Sequence, residues 1–109
     1  MKVTIEIIKR IRQDFAKRKI KEDLTIPSNL GRWEVELNRR VAISMLGDFS
    51  DCIFVITEKH IYHNGSLENK DYCVYAYDKN GNYTEEMSPR ELGRDFFKNI
   101  KFIENEIMG

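Results

Sequence analysis

The segment His60-Ile61-Tyr62-His63 holds both histidines of the chain, and Cys73 follows ten residues later. Imidazole and thiol together can hold zinc, or an imidazole can help make a thiolate nucleophile. Pairing a strand at 52–58 with one at 72–78, around a loop at 65–69, would set Cys73 roughly across from the two histidines. The set is short for a metal, because three such ligands do not close a tetrahedral site. Residues 60 and 63 also point to opposite faces of a regular strand. Surface histidines beside a buried cysteine fit this spacing better.

Other catalytic signatures are missing. The six glycines form neither GxGxxG nor GxxxxGK, and no HExxH or CxxC occurs. The 18 carboxylates make some chance proximity certain, which is no evidence for a general acid and base. The expectation is a protein that is not an enzyme, with no cofactor, metal or small-molecule substrate. A small enzyme built on Cys73 and a histidine is the third-ranked reading.

Binding chemistry is better represented. Tyr62, Tyr72, Tyr75, Tyr77 and Tyr83 cluster within 22 positions. Tyrosine offers a broad flat contact with a polar tip, as protein-binding faces do, but it is equally a favoured strand residue. A base-stacking role lacks the basic-Gly-aromatic-Gly run of RNA-recognition domains. Arg10, Lys17 and Lys21, with Asp14 between them, line one side of a helix at spacings of seven and four. Such a stripe can meet phosphate or acidic protein, or be an ordinary solvated face.

The elements that must position these groups follow from periodicity. Residues 4–22 read as a helix with Ile5, Ile8, Ile11 and Phe15 inward and Thr4 as its cap. TIPSNLG, 25–31, stops it. Period two then takes over, with Trp33, Val35 and Leu37 alternating against charge and Val41, Ile43 and Met45 continuing on one face. The stretch 40–46 can also be a short helix. CIFVITE, 52–58, reads as the central strand and HNGSLENK as a polar loop. YCVYAYD, 72–78, places Tyr72, Val74 and Ala76 on one face and Cys73, Tyr75 and Tyr77 on the other. Asn80-Gly81 predicts a type I′ hairpin turn into YTEEM.

Ser88-Pro89-Arg90-Glu91 has the form of a capping box, and Leu92, Phe96, Ile100, Ile103 and Ile107 continue it as a helical stripe. The fold class is therefore α+β: an antiparallel meander sheet of four to five strands flanked by an N-terminal and a C-terminal amphipathic helix. One sheet face can take both helices.

At 109 residues, 41% hydrophobic and 33% charged, the chain suits one domain with its own core. No run approaches the roughly 20 apolar residues of a membrane helix, and MKVTIEIIKRIRQDF lacks a signal peptide's apolar centre. A cytoplasmic protein follows, with Cys52 and Cys73 as buried thiols and no membrane contact. The net charge of zero is unevenly placed. Residues 1–40 carry 11 basic and 6 acidic groups and the remainder 7 and 12, leaving +5 and −5. That balance argues against a DNA mimic and against a general nucleic-acid coat protein.

Residues 40–99, from RVAISMLGDFSDCIFVITEKHIYHNG to DYCVYAYDKNGNYTEEMSPRELGRDFFKN, look like small proteins and domains of plasmids, conjugative elements and phages of Gram-positive bacteria. With the opening MKVTIEIIKRIRQDF, the chain resembles type II-A anti-CRISPR proteins, inhibitors of the RNA-guided nuclease Cas9. The resemblance lies in texture and length over most of the chain, so no site residue carries over by position. It implies a protein that works by binding Cas9 or its guide RNA and interferes with their assembly. The acidic portion, with Asp48, Asp51, Glu85, Glu86, Glu104 and Glu106, would meet a basic groove. Arg10, Lys17 and Lys21, with Arg39 and Arg40, would touch RNA. The rival expectation is a nucleic-acid-binding accessory domain of a plasmid or phage.

Overall fold

The computed structural model describes residues 3–22 and 31–103, with the side chains of 19–22 outside that description. Helix α1 (Ile5–Glu22) leads into strand β1 (Arg32–Ser44) and a single 3-10 turn (Gly47–Phe49). Then come β2 (Cys52–His63), β3 (Ser66–Asp78), β4 (Tyr83–Met87), helix α2 (Pro89–Lys98) and β5 (Ile100–Phe102). The five strands form one antiparallel open sheet in the order β4-β3-β2-β1-β5. The first four are a meander. Helix α2 then carries the chain from one edge of the sheet to the other.

Both faces of the sheet are covered, each by a different helix, and not one face by both. On the α1 face, Ile8, Ile11 and Phe15 pack on Val41, Ile53, Val55, Cys73, Tyr75 and Tyr77. On the α2 face, Phe96 packs on Ala42, Phe54, Ile56, Val74 and Ala76. β2 is accordingly buried at every residue from Ile53 to Thr57. A strand covered on both sides needs a continuous apolar run, which is what CIFVITE supplies.

Thr4 caps α1 by accepting a hydrogen bond from Ile7 N–H on its Oγ1 at 3.3 Å, while Ile5, expected inward, is 46% exposed. Ser88 precedes α2, with Pro89 in the first turn, but its hydroxyl makes no capping bond. The helical stripe expected to run through Ile100 and Ile103 ends at Lys98. Gly93 breaks the helix at φ +78°, and Asn99 closes it by donating from Nδ2 to the Asp95 carbonyl at 2.7 Å. Ile100–Phe102 then joins the free edge of β1 opposite Ala42–Ser44. Ile107 lies outside the described residues.

The stretches 32–38 and 40–44 form one strand, not a strand and a short helix, and a bulge interrupts it. Asn38 adopts φ +56° and the register shifts between Leu37 and Arg40. One extra residue reverses which face the side chains take. Val41 and Ile43 therefore pack on the α1 face, while Trp33, Val35 and Leu37 turn to the α2 face, not to a common side.

The tight two-residue turn falls at Asn64-Gly65, both at positive φ, inside the stretch expected to be a loop. Asn64 also clamps the start of β1: its Oδ1 accepts from Gly31 N–H and its N–H donates to the Gly31 carbonyl, each at 2.9 Å. At 78–82 only Gly81 is left-handed. That turn is a longer loop, in which the Asp78 carboxylate accepts from the N–H groups of Asn80 and Asn82, so it is not the expected two-residue type I′ turn.

Candidate binding surface

Strand β3 divides sharply along its length. Cys73 to Tyr77 are all buried between the helices, and Ser66 to Tyr72 are all exposed. The exposed part pairs with β2, and β2 with β1, to form a three-stranded half of the sheet that runs on past the helix-covered core. Five rows of strand at about 3.3 Å each give this half a reach of roughly 17 Å.

Its α2 face is a grid set by register. Trp33, Tyr62 and Leu67 form the row nearest the hairpin tip. Val35, His60 and Lys70 form the middle row, and Leu37, Glu58 and Tyr72 the row nearest α2. Trp33 and Tyr62 stack with centroids 4.3 Å apart and planes 9° from parallel, and Tyr72 meets Phe97 of α2 at 5.4 Å. Three of the five large apolar side chains most exposed among the described residues stand here: Leu37 at 43%, Leu67 at 46% and Tyr72 at 53%. The Trp33 indole N–H is buried with no acceptor, and His60 Nε2 likewise has no hydrogen-bond partner. His60 Nε2 lies 4.0 Å from Glu58. A buried donor without an acceptor costs about 1–3 kcal/mol, so this grid is not optimised for the isolated fold.

The α1 face of the same strands is ionic. Arg32 pairs with Glu34 at 3.0 Å, and Lys59 with Glu34 at 3.5 Å. The Glu36 carboxylate accepts from the Tyr75 hydroxyl at 2.8 Å and from Thr57 Oγ1 at 3.0 Å. Burial first, then the bond to Glu36, pushes the Tyr75 phenol far above its ordinary value. Burial also pushes the Cys73 thiol up, with Glu36 adding to it. A thiol so placed is not poised as a thiolate.

The expected proximity of cysteine and histidine does not form. Cys73 stands opposite Thr57, whereas His60 pairs with Lys70 and His63 with Ser66. The two-residue turn at 64–65 together with the extra residue Glu68 on β3, and not a loop at 65–69, fixes that register. His60 and Cys73 moreover lie on opposite faces of the sheet. Among the described residues no three His, Cys, Asp or Glu side chains gather as a metal site. Both cysteines are free, Cys73 buried and Cys52 half-buried. No described helix is long and apolar enough to cross a membrane.

The charged residues singled out by sequence are dispersed. Arg10 is bound at home, donating from Nη2 to Asn82 Oδ1 at 2.6 Å. Asp14, between Arg10 and Lys17, pairs with Arg18 at 2.7 Å and accepts from the Tyr77 hydroxyl at 2.7 Å. Burial would raise its carboxyl, but these hydrogen bonds outweigh it and hold the group below the usual carboxylate range. Lys17 is exposed on α1; the Lys21 side chain lies outside the described residues.

Arg39 and Arg40 diverge. Arg39 covers the Phe15 ring of α1 at 4.6 Å, and Arg40 covers the Phe102 ring of β5 at 3.5 Å. Glu85 and Glu86 are exposed on β4, the outermost strand, three strands from β1. At about 4.8 Å per strand that is roughly 14 Å away. Sequence reasoning missed the grid residues as a group. The signal available in the sequence is Asn64-Gly65, whose two-residue turn sets the Tyr62–Leu67 pair at the tip, while the extra residue at Glu68 shifts the rows behind it.

No protein-family model matches the chain, and no curated protein or solved structure matches it either.

Proposed function

We propose that this protein acts by binding a macromolecule through the projecting half of its sheet, and that the target is a Cas9 nuclease not yet loaded with guide RNA. The exposed grid carries the binding part of this reading. Leu37, Leu67 and Tyr72 stand open on a rigid three-stranded platform beside the stacked Trp33–Tyr62 pair. Aromatic and apolar groups on a preorganised surface lose little side-chain entropy on docking. The resemblance to type II-A anti-CRISPR proteins supports the choice of target. Cas9 holds its guide in basic channels, and a protein seated at such a channel would prevent assembly.

In this reading the dispersed charges steer approach and do not form one contact. Glu85 and Glu86 would favour a basic groove, while Arg10, Lys17 and Lys21, with Arg39 and Arg40, would repel misdirected docking or meet RNA. Direct binding to nucleic acid alone is less favoured, because Arg10, Arg39 and Arg40 already engage Asn82, Phe15 and Phe102. The test is an order-of-addition cleavage assay with Cas9, guide RNA and target DNA. Inhibition is expected when the protein precedes the guide and not when it follows. Equal inhibition in both orders would refute interference with assembly, and none in either order would remove Cas9 as the target.

A further inference from the structure

The α2 face of the projecting half carries charges of both signs, one row apart. Glu58 stands in the row nearest α2, and Lys70 in the middle row on the neighbouring strand. The Glu58 side chain is 33% exposed. Its Oε2 accepts from Asn38 Nδ2 and its Oε1 lies 4.0 Å from His60 Nε2, which leaves lone pairs for a further donor. Lys70 is exposed and forms no ion pair with the described residues. Arg40, one row further in, already covers the Phe102 ring. Leu37, Leu67 and Tyr72 are the large apolar groups left open on the same face.

We propose that this face pairs with itself: two copies of the chain associate reversibly through their projecting halves and mask the surface assigned above to the target. Neighbouring strands lie about 4.8 Å apart and successive rows about 6.7 Å apart, so Glu58 and Lys70 are separated by roughly 8 Å. A two-fold axis midway between them lays Glu58 on Lys70 of the second copy, and Lys70 on its Glu58. The same rotation brings the open apolar groups together. In projection on the sheet plane, Leu37 falls within roughly 3 Å of Leu67 of the second copy, and Tyr72 within roughly 3 Å of its own symmetry mate. The strands of the two copies cross at roughly 70°, in the orthogonal class of sheet packing. Each α2 then falls outside the other copy's β3, alongside the stretch that β4 does not reach beyond Val74. The contact is small. A platform of roughly 14 by 17 Å presents about 240 Å², well under the ~800 Å² per partner of a stable complex. The pair is therefore transient, and the single copy stays available to a target. The masking role rests on the binding reading above; the self-association does not.

The test is sedimentation equilibrium over a concentration series, alongside emission from Trp33, the one tryptophan of the chain and part of this face. The expected result is a reversible monomer–dimer equilibrium with a concentration-dependent Trp33 signal. Glu58→Lys alone and Lys70→Glu alone each set like charges opposite one another twice per dimer, and should weaken association at least about tenfold. Mixed in equal amounts, the two variants should associate again, because each supplies the charges the other now lacks. If Glu58→Lys does not fold, Leu67→Lys, which faces Leu37 of the second copy, should abolish the dimer with an unchanged thermal midpoint. Three results would each overturn the proposal: a protein still monomeric at millimolar concentration, a dimer that the folded variants leave intact, or single variants that fail to complement each other. The order-of-addition assay, run at nanomolar protein where the dimer is dissociated, tests the binding reading separately, so the two can fail independently.

Discussion

One strand, β3, passes through two environments, and its two halves show what each demands. From Cys73 to Tyr77 it lies between α1 and α2, and every side chain finds a packed partner. From Ser66 to Tyr72 no described helix buries it, and its side chains stay exposed beside a tryptophan whose N–H lacks an acceptor. The covered half stabilises the fold. The projecting half is held in shape by backbone pairing and by the Asn64–Gly31 clamp, and it leaves apolar side chains in water. Stability and recognition are thus separable along the strand, and substitutions should report that separation.

The largest effect is expected in the covered half. Phe96 is fully buried, with Phe49, Phe54 and Phe97 edge-on around it at 5.0 to 5.6 Å. Phe96→Ala should destabilise by about 3–5 kcal/mol in denaturant titration, because it removes the one fully buried side chain α2 inserts. At the boundary, Tyr75→Phe leaves the Glu36 carboxylate with Thr57 but without the phenol, and should cost about 1–3 kcal/mol.

The same boundary predicts a pH dependence. Burial and the bonds to Glu36 and Asp14 hold the Tyr75 and Tyr77 phenols protonated well above their ordinary value of 10.0. Their contribution is complete below that value and is lost as pH rises above it, since the unfolded phenols ionise first. Phenolate absorbance should therefore appear in two stages, with Tyr75 and Tyr77 titrating only as the protein unfolds. Asp14 acts in the opposite sense: its lowered value adds stability above the usual carboxylate range, which is lost as pH falls through the lowered value.

Smaller effects are expected towards the tip. Asn64 sits at φ +50°, where most side chains are strained, and Asn64→Ala should cost about 1 kcal/mol and loosen the start of β1. Leu37→Lys with Tyr72→Lys, flanking Glu58 in one cross-strand row, should change stability by no more than about 0.5 kcal/mol. A loss comparable to that of Phe96→Ala would show that the two halves are one energetic unit.

Much of the covered half was legible in the sequence. CIFVITE reads as a central strand because burial on both faces requires an unbroken apolar run, and Val74/Ala76 against Cys73/Tyr75/Tyr77 sorts the two faces correctly. The projecting half was not. Period two across 32–45 put Trp33 and Val41 on one side, but the bulge at Asn38 reverses the faces, and no local propensity announces an extra residue there. Asn-Gly occurs twice, at 64–65 and 80–81, and the preference for positive φ does not tell a two-residue turn from a longer loop. In the latter, Asp78 supplies the hydrogen bonds. The helical stripe past Phe96 failed because β1 offers a free edge at Ala42–Ser44, a tertiary partner that outweighs helical spacing. Charge spacing on α1 located Arg10 and Lys17 correctly on the helix, but could not show that Arg10 is bound to Asn82.

The most direct test of the account is the order-of-addition cleavage assay run with the wild-type protein and with the Leu37→Lys, Tyr72→Lys variant. The account predicts that wild type blocks cleavage only when it meets Cas9 before the guide, and that the variant, folded with an unchanged thermal midpoint, does not block it. A folded variant that inhibits as well as wild type would contradict the assignment of the projecting half as the binding surface.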